Sequence, residues 1–390
     1  MTPNSIVIIG AGHAGVQAAA SLREEGWEGA ITLLSDEAGL PYQRPPLSKA
    51  FLKSQVDLAG LPLRAEKFFH DNRIDLRLGE KALRIDRKSK RIELSSGGVA
   101  TYDQLILATG AQQRILRATG VNLKGVVSLR PIGDAQAIRE GLEFGRRVVV
   151  IGAGFIGLEI AATALALGSA VTIMEIADRP LGRAVSPAMS SFFLQAHQAF
   201  GAKFRLGVGV TAIHGASGRA TDVELSSGEH LPADIVVVGV GVTAEDGLAR
   251  DTGLDCANGI VVDEFLATSD PTISAIGDCA QFPSLILNAP LRLESVQNAT
   301  DQARALARRL MGKPERYDAL PWFWSDQGDL KLQIAGLSHG VDRWVLRGDP
   351  ATRAFATFGF RAGALVVAET VNRGAEHMGA RRWRGNATHA

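Results

Sequence analysis

The chain has 390 residues, too many for one ordinary hydrophobic core and enough for two or three domains. Hydrophobic residues make up 46% and charged residues 21%, a globular balance, and the net charge of +1 provides no overall field toward nucleic acid or a membrane surface. Only two cysteines occur, Cys256 and Cys279, which excludes a disulfide framework and fits a reducing cytoplasm; no signal peptide is expected before the first strand, and no apolar run reaches the roughly 18 residues of a membrane span.

The first organised stretch is IVIIGAGHAGVQAAASLREEGWEGAITLLSD, Ile6 to Asp36. Ile6 to Ile9 has the length and β-branched content of a buried parallel strand. Gly10, Gly12 and Gly15 follow at GxGxxG spacing, then a helical pattern that ends at Gly26, then an apolar run, Ile31 to Leu34, leading into Ser35, Asp36 and Glu37. Strand, glycine turn, helix, strand and acid are the parts of a dinucleotide site. The first glycine permits the tight turn, the second lets the backbone approach a pyrophosphate, and the third lets the helix pack on the strand. The helix N-terminus offers N–H groups to the phosphates, and Asp36 is placed to accept ribose hydroxyls.

YQRPPLSK, Tyr42 to Lys49, comes next: a stiff cationic loop that can reach back over a cofactor or be an ordinary surface turn, with Ser48 and Lys49 opening an expected helix. Residues 73 to 102 read as short strands with turns, and Gln104 to Ala111 as a buried strand ending at Ala108, Thr109 and Gly110. At Arg146 the opening pattern repeats. Val148 to Ile151 is a strand, Gly152, Gly154 and Gly157 form a second GxGxxG, and a strand from Val171 to Met174 ends at Glu175. Two complete units in one chain are far more specific than one. A carboxylate at Glu175 favours a free ribose 2′-hydroxyl and so NAD(H) over NADP(H), although Arg179 and Arg183 stand nearby. Strands are expected at Lys203 to Leu206, Asp222 to Leu225, Ala233 onward into Gly239 and Gly241, and Thr272 to Ala280, with a helix over Leu293 to Lys313. From about Pro321 the strands at Lys331 to Ile334, Arg343 to Leu346, Ala354 to Phe358 and Leu365 to Glu369 read as a small, mainly antiparallel third domain.

The chain carries no Ser–His–Asp motif, no metal-ligand spacing and no CxxC or CxxxxC pair. No metal is expected, and Cys279 reads as a small packed residue. Redox chemistry then falls to bound cofactors, which the protein orients.

GAGHAG, YQRPPLSK, LILATG, GAGFIGLE, VGVGVTAED, IGDCA, ESVQNA and PWFWSDQ stand in the order and spacing of the flavin-dependent NADH–ferredoxin reductases, and the sequence resembles that family over about residues 5 to 372. The resemblance implies an α/β fold with two Rossmann-like, glutathione-reductase-like dinucleotide domains and a small α+β C-terminal domain. The implied boundaries are 1–110 and 239–318 for FAD, 111–238 for NAD and 319–390 for the last domain. It places FAD along Gly10, Gly12, His13, Ala14, Gly15, Asp36, Arg44, Lys49, Ala108, Thr109, Gly110, Arg130, Gly277, Asp278, Ser295 and Val296, with Trp324 covering the flavin. NADH is placed along Gly152, Gly154, Phe155, Ile156, Gly157, Glu159, Glu175, Arg183 and Gly241. Lys49 and Glu159 are implied to meet near the flavin ring as the catalytic pair. Plain core packing remains the other reading of Trp322 and Trp324.

The activity implied is hydride transfer from NADH to FAD and single-electron delivery to an acidic 2Fe–2S ferredoxin that feeds an oxygenase. Alternatives are a rubredoxin reductase, an NADH oxidase, or a redox-gated signalling flavoprotein resembling apoptosis-inducing factor; no nucleic-acid or membrane partner is expected, and the oligomeric state is a monomer or weak dimer. Docking is expected beside Trp324, on cations Arg304, Arg308, Arg309, Lys313 and Arg316, with Arg381, Arg382 and Arg384 as the second candidate. Two departures from the family pattern stand out: Gln297 in place of a proline, and a C-terminal stretch after Asn372 that diverges.

Overall fold

The computed structural model describes residues 4–142 and 144–382. Arg384 of the second candidate docking cluster lies outside these. The chain divides into two compact units: Met1–Gln43, Leu58–Gln112 and Val242–Ala319 form the first, and Arg44–Asp57, Gln113–Gly241 and Leu320–Ala390 the second.

The first unit is built on an all-parallel sheet. Its strands lie in the order Ile273–Ala275, Gln104–Leu107, Ser5–Ile9, Ala30–Leu34 and Ile74–Arg77. Both faces are covered, so the central strands read as continuous apolar runs instead of alternating ones: Ile6, Val7, Ile8, Leu105, Ile106 and Leu107 are all nearly inaccessible. Helix His13–Glu24 packs on this sheet beside helix Val296–Leu310, and alanines on both (Ala18 and Ala19, Ala299 and Ala303) let the two approach closely. An antiparallel sheet of Ala82–Asp86, Arg91–Leu94 and Val99–Thr101 completes the first half of the unit.

The second unit repeats the plan. Its parallel sheet has the order Lys203–Leu206, Ala170–Glu175, Arg147–Ile151, Ile235–Val238 and Val126–Ser128. Helix Phe155–Ala166 is apolar nearly all round, as a helix buried on several sides must be. A three-stranded antiparallel sheet, Val210–Ala216, Arg219–Leu225 and His230–Pro232, is inserted before the strand Ile235–Val238. The C-terminal part is a five-stranded antiparallel sheet in the order Trp322–Gln327, Leu330–Gly336, Ala364–Val371, Ala354–Arg361 and Arg343–Asp349, followed by helix Gly374–Ala380. It is joined to the nucleotide part of its unit through Glu369, which is fully buried and accepts from the Ser186 N–H at 2.8 Å, the Ser186 hydroxyl at 2.6 Å and the Thr357 hydroxyl at 2.7 Å. Burial pushes its carboxyl pKa up, and those three donors hold it back down.

Two features differ from the sequence reading, and two elements are additional to it. Residues 44–57 group with the second unit although the flanking chain belongs to the first, because Leu47, Phe51 and Leu52 are buried there and the Arg139 guanidinium lies 4.6 Å over the Phe51 ring. Each such side chain contributes about 2 kcal/mol by leaving water. No α-helix opens at Ser48: Pro45–Ser48 is a single 3₁₀ turn, with its prolines at the first-turn positions that need no N–H, and Lys49 leaves helical geometry at φ −131° and ψ −98°. Trp322–Gln327 is a strand, and the divergent stretch after Asn372 begins with a helix.

Candidate functional site

The two glycine turns are built alike. Gly10 has φ +104°, and a Cβ there would lie 2.3 Å from the Ala108 carbonyl oxygen; Gly152 has φ +105°, and its Cβ would lie 2.4 Å from the Gly239 oxygen. At Gly15 and Gly157 a Cβ would strike the carbonyl of the first glycine, at 1.9 and 2.2 Å. The middle glycines behave differently: a Cβ added at Gly12 or Gly154 meets nothing within 4 Å. The outer glycines are therefore demanded by the protein's own packing, whereas the middle ones keep clear a space that protein does not fill.

Both turns lead into helices that no side chain caps, although Ser186 and Ser295 cap their helices through their hydroxyls. The start of a helix beside a glycine that keeps space clear fits a pyrophosphate. The residues present thus fit two dinucleotides, one per unit.

The acids beyond the turns are not equivalent. The Gly10 N–H donates to Leu34 O and the Gly152 N–H to Met174 O, so the structural counterpart of Glu175 is Ser35, with Asp36 one residue further on. Glu175 is folded into its turn, accepting from the Ala153 N–H at 2.8 Å and the Ala177 N–H at 2.9 Å. Asp36 is exposed, while its neighbour Glu37 accepts from the Tyr42 hydroxyl. Arg183 is exposed, and Arg179 instead ties the following loop, donating to the carbonyls of Gly182, Val185 and Ser186.

Around the first turn, Ala108, Thr109 and Gly110 follow the strand Gln104–Leu107, and the Thr109 hydroxyl donates to the Glu245 carbonyl. Gly277, φ +79°, brings the Gly277–Cys279 turn against Ala14, where a Cβ would sit 3.0 Å from the Ala14 methyl. The Gly277 N–H donates to Gln302 Oε1 at 2.7 Å, and the half-buried Asp278 follows. His13, Ala14, Ser295 and Val296 lie at the starts of the two packed helices of this unit.

The second unit holds the other assigned residues, including four that the resemblance gives to FAD: Arg44, Lys49, Arg130 and Trp324. Arg44 donates to the Arg130 carbonyl at 2.7 Å. Lys49 Nζ lies 2.6 Å from Glu159 Oε2, so the anticipated pair forms. Phe155, Glu159 and Thr163 recur at four-residue spacing and share one helix face. Phe155 packs on Phe323 at 4.5 Å between ring centroids, and the Thr163 hydroxyl donates to the Ser48 carbonyl at 3.0 Å. Glu159 is 5% exposed and also accepts from the hydroxyls of Ser48 and Ser325. Ile156 on the next position is exposed, and Gly241, φ +95°, lies against the Arg114 side chain.

Ser48, Ser325, Gln327 and His197 escape sequence reasoning. On strand Trp322–Gln327 the side chains alternate, so Phe323, Ser325 and Gln327 face Glu159 while Trp322 and Trp324 stack together on the other face at 5.6 Å. Gln327 donates to Ser325 at 3.1 Å and pairs through Oε1 with His197 Nε2 at 2.8 Å, which makes that nitrogen the donor. Burial lowers the His197 pKa, so this ring is neutral. The signal was the period-two placement of Ser325 and Gln327 in PWFWSDQ.

The cations of the expected docking strip have local partners in the fold. Arg304 pairs with Asp301, Arg308 with Glu315, Lys313 with Glu25 and Arg316 with Glu264, while Arg309 turns inward to the Ser274 hydroxyl at 2.6 Å. Four of the five cations are thus paired with carboxylates, and Arg309 is held by a hydroxyl. Arg381 is likewise engaged, 4.2 Å over the Trp322 ring. Neither cysteine is disulfide-bonded; Cys279 is fully buried with its thiol pKa raised by burial, its Sγ donating to the Ile276 and Leu107 carbonyls.

Residues 4–303 match the profile of the pyridine nucleotide-disulphide oxidoreductase family, and residues 322–390 that of the reductase C-terminal domain. The chain belongs to this family. It is 50% identical to rhodocoxin reductase of Rhodococcus erythropolis, over 97% of this chain and 88% of that one. The ferredoxin reductase for the CYP199A2 system of Rhodopseudomonas palustris superposes with a TM-score of 0.95 at 49% identity, covering 97% of this chain and 93% of that one. The covalent putidaredoxin reductase–putidaredoxin complex also gives a TM-score of 0.95, at 39% identity, covering 97% and 92%. The mixed α/β architecture of two dinucleotide folds and a C-terminal reductase domain is that of these ferredoxin reductases. No helix among the described residues is long and apolar enough to cross a membrane.

Proposed function

We infer that this protein is an NADH-dependent flavoprotein reductase that delivers electrons to a ferredoxin. The observation that carries the reading is the pair of uncapped glycine cradles in one chain whose cysteines form no redox pair. FAD supplies the exchange between a two-electron hydride and single electrons. The chain supplies binding and charge placement. The first cradle, with Asp36, Thr109 and Asp278, holds FAD; the second, with Glu175 against the ribose, holds NADH. Lys49 offers a cation toward charge developing on the acceptor ring, and Glu159, fixed by Ser48 and Ser325, keeps that cation oriented and compensated. Arg44, which donates to the Arg130 carbonyl, and Trp324 are, with Lys49 and Arg130, the residues of the second unit that the family resemblance gives to the flavin. A fold shared with a reductase that forms a complex with putidaredoxin supports a ferredoxin acceptor of the 2Fe–2S type, and an oxygenase as the final electron consumer. Two free cysteines support a cytoplasmic setting.

The test is rapid mixing of the purified protein with NADH, followed by a panel of 2Fe–2S ferredoxins, a rubredoxin and oxygen. Flavin bleaching by NADH and fast reduction of at least one ferredoxin are expected. Bleaching with transfer only to rubredoxin or oxygen would assign the acceptor differently, and a protein that takes up no FAD would remove the reading altogether.

A further inference from the structure

The three-stranded sheet of the second unit has a two-sided composition. Ile213, Val223, Leu225 and Leu231 turn into the core. The outward face carries a different set. His214 stands opposite Asp222, and His230 stands opposite Glu224. Asp222 and Glu224 are two residues apart on the middle strand, so all four side chains project from the same face. The ladder shifts register on either side of His214, between Val210 and Ala212 and between His214 and Gly215, a device that re-aims a side chain.

The imidazoles of His214 and His230 stack with centroids 5.6 Å apart and planes 27° from parallel. His230 Nδ1 lies 2.6 Å from Asp222 Oδ1, and His214 Nε2 lies 2.8 Å from Glu224 Oε2. One ligand atom from each of His214, Asp222 and His230 falls within 4.8 Å of the others. Tetrahedral zinc with bonds near 2.0–2.1 Å holds its ligand atoms about 3.4 Å apart, so small rotations of exposed rings close the set. Two imidazoles and a carboxylate suit zinc-class ions, whereas calcium and magnesium prefer all-oxygen sites. A carboxylate bonded to the far nitrogen of a ligating imidazole fixes its tautomer, and Glu224 is placed to do this for His214. None of the four residues belongs to either glycine cradle or to the Glu159 network.

We propose that His214, Asp222 and His230 form a binding site for a divalent transition metal ion of the zinc class, with Glu224 orienting His214 and a fourth position left to water. The flavin-loaded protein, stripped with EDTA, is titrated with zinc chloride by calorimetry. One ion per chain is expected, with affinity falling about tenfold or more in His214→Gln and in His230→Gln. Cys256→Ser should bind as wild type does. Absence of saturable one-to-one binding, or unchanged affinity in both histidine variants, overturns the site. Should a variant fail to retain flavin, modification of the wild-type histidines by diethylpyrocarbonate decides the matter: zinc protects His214 and His230 if the site is real, and leaves them equally reactive if it is not.

Discussion

The two glycine cradles are near copies, yet the helices that leave them serve different ends. Counted from the first glycine of each, Glu159 corresponds to Gln17 and Thr163 to Ser21. In the first helix these residues are bonded to each other, Gln17 Nε2 to Ser21 Oγ at 2.9 Å. In the second they reach outward, to Lys49, Ser48 and Ser325. The two cradles thus share one backbone geometry, and the helix face one turn further on distinguishes them: self-contained in the first, joined to a cation and two hydroxyls in the second.

The middle glycines give the largest expected effect. Gly12→Val should yield a folded protein without flavin. Gly154→Val should stay yellow while kcat/KM for NADH falls by about a hundredfold, the loss of roughly two charge-assisted hydrogen bonds to phosphate. Visible spectra and NADH-to-dye kinetics separate the two, and a yellow Gly12→Val protein would break the comparison. The helix faces come next. Lys49→Met or Glu159→Gln should slow flavin reduction by NADH about tenfold in stopped flow, since either change leaves a partly buried partner uncompensated. Gln17→Leu should reduce at the wild-type rate; an equal loss there would mean the two faces are not specialised.

A smaller effect is expected at the acids. Glu175→Ala should narrow the preference for NADH over NADPH by about tenfold, because the carboxylate that repels a 2′-phosphate is gone. Asp36→Ala should leave that ratio unchanged, and a shift in it would show that the acids have been assigned to the wrong cofactors. The smallest effect concerns stability. His377 is buried, with no partner for either ring nitrogen among the described residues, and burial, with Arg381 nearby, pushes its pKa down to about 4. Because the folded value lies below the unfolded one near 6.5, its contribution is fully present above about 6.5 and is lost as pH falls through about 4. His377→Leu should flatten this acid limb of the melting-temperature curve, read from tryptophan fluorescence; an unchanged limb would place the acid sensitivity elsewhere.

Local pattern carried most of this in the sequence. Both cradles and their buried strands are set by neighbouring residues, so Gly10, Gly12 and Gly15 and their repeat at Gly152, Gly154 and Gly157 were legible. The Lys49–Glu159 contact came only from family resemblance, since nothing local joins residues so far apart. Ser325 and Gln327 were missed because their strand mixes half-buried aromatic and polar residues, which blurs a period-two signal until a neighbouring helix fixes the inner face. The pairing of the docking strip's cations was hidden for a related reason. Arg308 and Lys313 are cations in sequence, but Glu315 and Glu25 reach them only in the fold.

The order of strands in the first sheet bears on how the chain is made. Strand Gln104–Leu107 waits for Ile273–Ala275 to cover its outer edge, whereas every strand of the second parallel sheet lies between Val126 and Val238. A chain leaving the ribosome therefore completes its second sheet while the first still presents an open, apolar edge, the kind of edge that recruits other chains. The sheet that begins translation is thus the later of the two parallel sheets to close, and it carries an unpaired edge until Ile273–Ala275 has been made.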